Sequence, residues 1–212
     1  KHILWPQAKS EAWFRAEKED RVRQGMADSY SQEMLNIPLD ESHTFFRQSD
    51  FIGMSVDDSK KNMVYYITCD LAVSTKDRAD YTVFAVTGLD EEGRLYLRNV
   101  IRERMDSMEI VEAMFALQRL YKPVLFGIEQ GVIEKAIGPH IRDTMLKRGE
   151  FINLHPLKPS MDKVTRARSI QARMRAGACK FDKDADWYLP FQEELLRFPR
   201  DKHDDQVDAW SY

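Results

Sequence analysis

Six consecutive residues, Pro123-Val-Leu-Phe-Gly-Ile128, carry no polar side chain, and Glu129 follows them directly. A wholly apolar run of this length reads as a strand covered on both faces, because a strand with one wet face alternates. Two-sided cover requires helices above and below a sheet, which points to an α/β fold. The neighbouring segments supply the parts. Val64-Tyr-Tyr-Ile-Thr-Cys-Asp70 is a β-branched and aromatic run of strand length. Residues 81–88 and 95–101 flank the turn Asp90-Glu-Glu-Gly93 and form a hairpin. Ile110, Val111, Met114, Phe115, Leu117 and Leu120 recur at helical spacing. A second helical region spans 133–148, broken near Gly138-Pro139 and ended by Gly149. Residues 151–156 give a fifth strand, and helices are expected over 163–176, around 190–197 and from Asp204 onward. This order predicts a mixed five-stranded sheet, three antiparallel strands and then parallel ones, with helices on both faces.

Residues 1–62 read differently from 63–212. A charged stretch from Glu11 to Gln24 with Trp13 and Phe14 suggests one surface helix, Tyr30 to Pro38 suggests a short second one, and 55–62 reads as a linker. An ordinary N-terminal arm on a single domain fits this region equally well. Apolar residues make up 43%, which excludes wholesale disorder, and the formal net charge of −3 excludes a globally basic coat for nucleic acid. A local basic face stays open. Two cysteines, Cys69 and Cys179, are too few for a disulfide scaffold or an all-cysteine zinc site. The start lacks both the apolar core of a signal peptide and an initiator Met. We therefore expect a soluble piece of a longer chain from a reducing compartment.

Acids stand where a packing argument would not place them. Asp70 ends one strand and Glu129 another, and in such sheets sites form beyond the carboxyl ends of neighbouring parallel strands. In Lys202-His-Asp-Asp-Gln-Val-Asp208, helical spacing puts Asp204, Asp205 and Asp208 along one face. Asp80 opens the strand that would pair with the one Asp70 ends. Singly, each has a plain structural reading: Asp70 as a turn residue, Glu129 in a first helical turn, Asp204 or Asp205 as a helix cap. Jointly, converging carboxylates repel one another unless cations neutralise them. Hard divalent ions such as Mg²⁺ or Mn²⁺ suit an all-oxygen set, and a pair of them can clamp an in-line displacement at phosphorus. His203, beside the cluster, could move a proton or simply occupy a surface turn. His140 and His155 read as structural.

Lys163 to Phe181 contains Lys163, Arg166, Arg168, Arg173, Arg175 and Lys180 and no acid. Val164, Ala167, Ile170 and Met174 form the core stripe of its helix, flanked by arginines on both sides. A solvated helix with snorkelling arginines is one reading. Phosphate contact is the other, with Lys163, Arg166, Arg168, Arg173 and Lys202 as its candidates and Lys158 near them.

Taken together, Asp70-Leu-Ala, Asp80-Tyr-Thr-Val, Phe126-Gly-Ile-Glu129, Asp162-Lys-Val-Thr-Arg-Ala-Arg168 and Phe198-Pro-Arg-Asp-Lys-His-Asp-Asp-Gln-Val-Asp-Ala209 resemble the nuclease domain of the large terminase subunit of tailed bacteriophages. The resemblance covers about residues 63–212, and its most specific parts are the His203-Asp-Asp-x-x-Asp-Ala209 tail and the Lys163-x-x-Arg166-Ala-Arg168 helix. It implies a ribonuclease H-like fold. It also implies an endonuclease that cuts concatemeric viral DNA during packaging with two Mg²⁺ or Mn²⁺ ions. Asp70 would bridge both ions, Glu129 would hold the second, and Asp205 and Asp208, with Asp204, the first. Asp80 would stand outside the direct ligands.

The chain departs from a whole large terminase in having no Gly-x-x-x-x-Gly-Lys, so no ATP site is expected within it. Residues 1–62 would then be the tail of an ATPase domain and a linker, and 63–212 the nuclease domain. Implied partners are double-stranded DNA, the ATPase domain, the small terminase subunit and the portal or procapsid, in the host cytoplasm and without a membrane. Two other readings remain: a resolvase- or transposase-like nuclease of the same fold, and a non-catalytic module that docks on DNA or portal.

Overall fold

The computed structural model describes residues 9–23, 44–72, 81–132, 137–158, 161–200 and 204–212. The helix expected over 30–38, together with Asp80, Lys202 and His203, lies outside these residues. A charged helix, α1 (Glu11–Arg23), stands where the sequence places it.

The centre is one seven-stranded sheet. Its strands are β1 (Ile52–Gly53), β2 (Val64–Asp70), β3 (Thr82–Leu89), β4 (Leu95–Glu103), β5 (Leu125–Glu129), β6 (Leu154–Leu157) and β7 (Cys179–Phe181), in the order β1-β7-β4-β3-β2-β5-β6. β2, β3 and β4 pair antiparallel, while β2 with β5, β5 with β6, β4 with β7 and β7 with β1 pair parallel. The five expected strands are all present, within a few residues of their expected bounds. The additional two are β1 and β7, with two and three residues, too short to show any periodicity in a sequence.

Helices cover both faces. On one, Ile67, Cys69, Phe84 and Val86 pack with Ile110, Met114 and Phe115 of α2 (Ser107–Tyr121) and Ile141 of α3 (Gly138–Arg148). On the other, Val83, Ala85, Leu97 and Phe181 meet α4 (Lys163–Arg175), α5 (Tyr188–Arg197) and α6 (Asp205–Trp210) through Ala167, Met174, Phe191, Leu195 and Trp210. The alternation follows from the strand period of two: adjacent residues such as Val83 and Phe84 feed opposite cores. The apolar run at 125–128 buries Phe126 and Ile128 in the first core alone; no residue of β5 enters the second, so the two-sided cover its composition suggests does not form there.

Local chemistry fixes the helix ends. Asp106 caps α2, accepting from the Met108 and Glu109 backbone amides while Glu109 reaches back to the Asp106 amide. Gly149 ends α3 at φ 64°, a left-handed conformation that glycine adopts without strain. Asp162 caps α4, accepting from the Thr165 amide at 2.9 Å and the Thr165 hydroxyl at 2.7 Å.

Residues 44–62 join the packed unit. Phe46 and Phe51 are buried in the second core, and β1 extends the sheet. The segment expected as a linker, 55–62, carries a short 3₁₀ turn, Asp58–Lys60, and buries Asp58. The Asp58 carboxylate accepts from the Ser55 amide and from Lys180 Nζ at 2.7 Å, which ties the segment to β7. A pattern dense in Asp and Lys looked solvent-bound in the sequence because its counter-charge lies 122 residues away.

Candidate active site

Parallel pairing of β2 with β5 matches Cys69 with Ile128, so the next residues, Asp70 and Glu129, emerge at the same end of adjacent strands. At Gly127, in β5, a Cβ would lie 2.9 Å from Leu157 Cδ1, the movable tip of a side chain, and 3.4 Å from Thr68 Cγ2. Helix α6 packs across β2 and β3 and delivers its acids to the same place. Asp208 is buried, at 7% exposure, while Asp204 and Asp205 are partly exposed.

The Asp70 carboxyl registers the crowding. Burial pushes its pKa up to about 7, with Asp208, Asp205 and Glu129 adding repulsion and Lys163 opposing it. Four of the acids singled out in the sequence therefore act on one another in space. Asp204 joins them through Lys163, whose Nζ lies 2.8 Å from Asp204 Oδ1 and 2.6 Å from Asp208 Oδ2. Arg166 Nη2 donates to the other Asp208 oxygen at 2.8 Å. Burial works against the charge on Lys163, but its hydrogen bonds to Asp204 and Asp208 outweigh that and hold its pKa above the usual lysine range.

These contacts revise the reading of the basic helix. Lys163 and Arg166, expected to face phosphate, instead reach inward to acids. The sequence showed a basic run without acids, yet its partners lie 41 and 42 residues downstream. Arg168 and Arg173 are exposed on α4, and Arg173 donates to the Gly93 carbonyl at 3.2 Å. Lys180 is committed to Asp58.

The expected cap on the last helix is also different. Asp204 occupies the N-cap position of α6, but its side chain makes no capping bond. Glu194 of α5 does that work: its Oε1 accepts from the Gln206 and Val207 amides at 2.7 and 3.2 Å, and its Oε2 from Gln206 Nε2 at 2.6 Å. Burial raises the Glu194 pKa, although these hydrogen bonds and Arg102 pull the other way. Sequence reasoning missed Glu194; its signal was a charged residue three positions after Phe191, on the buried face of α5.

Two further residues were missed. Arg102, near the end of β4, holds Asp205 Oδ2 at 3.4 Å and stacks over the Tyr81 ring at 3.8 Å. Tyr212 lies under the Arg166 guanidinium, 4.9 Å from ring centroid to charge. Burial raises the Tyr212 pKa, and Glu129, Asp208 and Asp70 add to the effect, which places its ring beside the acids. Neither had a local signal, since both act across long sequence separations.

Asp70, Glu129, Asp204, Asp205 and Asp208 offer only anionic oxygen, the donor type hard divalent ions prefer. A partly buried carboxyl whose ionisation its neighbours oppose is what such a charge would relieve. Among the described residues, no three acidic, His or Cys side chains are arranged to hold one ion as they stand. Lys163 and Arg166 occupy the Asp208 oxygens instead.

Comparison with known proteins places the fold. The terminase RNaseH-like domain family matches residues 67–212. No curated protein matches the sequence. Among solved structures, the large terminase nuclease from thermophilic phage G20c is 19% identical over 71% of this chain and 80% of that one, with a TM-score of 0.52. The same nuclease with bound magnesium is 20% identical over 71% and 79%, at 0.50. The large terminase of another thermophilic bacteriophage, in complex with ADP, is 14% identical over 97% of this chain, at 0.56, and this chain spans about half of it, 51%. Among the described residues no helix is long and apolar enough to cross a membrane. The ribonuclease H-like fold, the converging acids and the match across residues 67–212 lead to one assignment: this chain belongs to the terminase RNaseH-like domain family.

Proposed function

We propose that this chain is the nuclease part of a viral large terminase and cuts double-stranded DNA by divalent-metal-dependent phosphodiester hydrolysis during genome packaging. One observation carries the reading: Asp70 and Glu129 end adjacent parallel strands, and α6, packed across β2, brings Asp205 and the buried Asp208 to the same place. Asp70, Glu129, Asp205 and Asp208, with Asp204 beside them, would hold two Mg²⁺ or Mn²⁺ ions. Such ions, when bound, activate a water and stabilise the leaving oxygen of an in-line displacement.

The protein's own residues do the rest. β2 and β5 fix Asp70 and Glu129 on a rigid sheet, so their spacing does not depend on a loop. Glu194 and Arg102 hold α6 and Asp205 in place. Arg168 and Arg173 sit exposed on α4 and can track a phosphate backbone without reading its sequence.

In the same reading, residues 1–62 belong with the tail of an ATPase domain and its linker, with 44–62 anchored on the nuclease core. The small terminase subunit and the portal or procapsid are the expected partners, in the host cytoplasm. The test is supercoiled plasmid with Mn²⁺, beside an Asp70→Asn variant. Nicking and linearisation by the unaltered protein, lost in the variant, are expected. Cutting that persists in the variant removes Asp70 from the chemistry, and no cutting by either protein overturns the nuclease reading.

A further inference from the structure

Asp208 has both carboxylate oxygens engaged by the protein's own cations, Oδ2 by Lys163 and Oδ1 by Arg166. The two cations are held differently. Arg166 is 14% exposed, lies over the Tyr212 ring and also donates to the Met161 carbonyl at 2.9 Å. Lys163 is 51% exposed, and among the described residues its ammonium is held by two acids of the cluster, Asp204 and Asp208. Its backbone is the first residue of α4, pinned by the Asp162 cap, so the long side chain can move while its Cα stays put.

We propose that Lys163 is an internal substitute for the metal: its ammonium neutralises Asp204 and Asp208 in the metal-free protein, and a divalent ion binds by displacing it. The inference rests on reading the acid cluster as a metal centre. The physical argument is competition for the same oxygen atoms. An ammonium 2.6 Å from Asp208 Oδ2 occupies the space a cation ligated by that oxygen would need, and two cations that close repel. With Lys163 seated, the cluster is stable without metal but closed to it. Once displaced, the ammonium stays at the rim of the site, within a side chain's length of the acids, where an incoming phosphate oxygen is its natural partner. Metal entry and the appearance of a phosphate-binding cation thereby become one event. A protein that must not cut before its substrate is in place gains from that coupling.

The experiment needs neither DNA nor activity. Mn²⁺ is titrated into the metal-free chain, and the free ion is followed by electron paramagnetic resonance, for the unaltered protein and for Lys163→Gln, Lys163→Arg and Asp208→Asn. Removal of a half-exposed competing ion pair is expected to tighten Mn²⁺ binding about fivefold in Lys163→Gln. Lys163→Arg, which keeps a cation there, should stay within about twofold of the unaltered protein. Asp208→Asn should lose the tight binding. Unchanged or weaker Mn²⁺ binding in Lys163→Gln, with Asp208→Asn impaired, overturns the substitution by Lys163 alone and leaves the metal centre standing. Normal binding in Asp208→Asn overturns both. A second measurement needs no variant: acetylation of Lys163 by an amine-reactive reagent, read by mass spectrometry, should speed up several-fold when Mn²⁺ is added. An unchanged rate overturns the proposal even if the Gln variant fails to fold.

Discussion

Two charged clusters in this molecule use the same residue types and reach opposite states. Beyond the ends of β2 and β5, Asp70, Glu129, Asp204, Asp205 and Asp208 face Lys163, Arg166 and Arg102, and the pKa of Asp70 is pushed up to about 7. At the other cluster, Asp58 and Asp90 meet Lys61, Arg94 and Lys180, with exposed Glu92 at the rim. Burial there favours the neutral acids, yet hydrogen bonds from Lys180 and Ser55 to Asp58, and from the Arg94 amide and Lys61 to Asp90, outweigh it and hold both well below the usual carboxylate range. Burial raises all three carboxyls, and Asp58 and Asp90 are less exposed than Asp70, so the difference lies in the balance of charge and donors. A cluster with enough partners is a clasp: this one binds β7, β4 and the 55–62 segment into one unit. A cluster with a surplus of acid leaves Asp70 with repulsion that its cations do not offset.

The largest effect should come from Asp70→Asn. Metal-dependent plasmid cutting is expected to fall at least about 100-fold, the scale of losing a group that acts directly on the reacting atoms. The same change should stabilise the metal-free protein. Because the folded pKa of Asp70 lies above its ordinary value, the folded state keeps a proton that the unfolded chain releases. Stability is therefore present at low pH and is lost as pH rises from about 4 through about 7. In EDTA the variant should melt about 5 °C higher than the unaltered protein at pH 8, and the gap should shrink toward pH 4. A variant that melts lower at pH 8 would make the acid cluster a second clasp and end the contrast.

Asp58→Ala is the mirror experiment. It strips Lys180 and Ser55 of their acceptor, while Tyr96 keeps Asp90, and a loss of about 2–3 kcal/mol is expected, with metal-dependent cutting retained. The sign of the pH dependence reverses: the depressed pKa values of Asp58 and Asp90 give stability that is present above the ordinary carboxylate range and lost as pH falls below it. Urea midpoints across pH 1.5 to 8 read both slopes in one series. Identical slopes for Asp70→Asn and Asp58→Ala would erase the distinction.

Both clusters were only half legible in the sequence, for different reasons. Asp70 and Glu129 stood out because each ends an apolar strand, and strand periodicity fixes which end of the sheet they reach. Asp204, Asp205 and Asp208 stood out through helical spacing alone. What balances them could not be read: Lys163 and Arg166 looked free because their acids lie 41 and 42 residues on, and Arg102 is 103 residues from Asp205. The Asp58 clasp was invisible for the same reason and passed for a linker. The sheet shows this too, since five strands with clear patterns were found, while β1 and β7 form only because Phe51 and Phe181 have a core to enter. Local period reveals elements; the charge partners belong to the tertiary fold.

Glu194→Ala sits between the two clusters in kind. Glu194 is buried like Asp58, yet it serves the acid site by satisfying the first amides of α6. Its loss leaves two buried N–H groups and Gln206 without an acceptor, and about 2 kcal/mol is the expected cost in urea denaturation. Unlike Asp58→Ala, it should also weaken Mn²⁺ binding several-fold, because α6 carries Asp205 and Asp208. Equal stability loss with unchanged metal affinity would show that α6 is placed by its core residues Val207 and Trp210 alone.

The smallest effect asks how redundant the clasp is. The Tyr96 hydroxyl donates to Asp90 Oδ2 at 2.9 Å, with Asp58 Oδ1 at 3.2 Å as its alternative acceptor. Tyr96→Phe keeps the buried ring and deletes only this bridge. Both acids retain other donors, Lys180 and Ser55 on Asp58, Lys61 and Arg94 on Asp90. No charge is left unpaired, so the cost should stay near about 1 kcal/mol, the net worth of one hydrogen bond. A loss as large as that of Asp58→Ala would mean that the hydroxyl couples the two acids into one cooperative network. A loss near zero would mean that the two acids are neutralised independently, and the clasp would then be two adjacent ion pairs that share a tyrosine ring between Lys61 and Lys180.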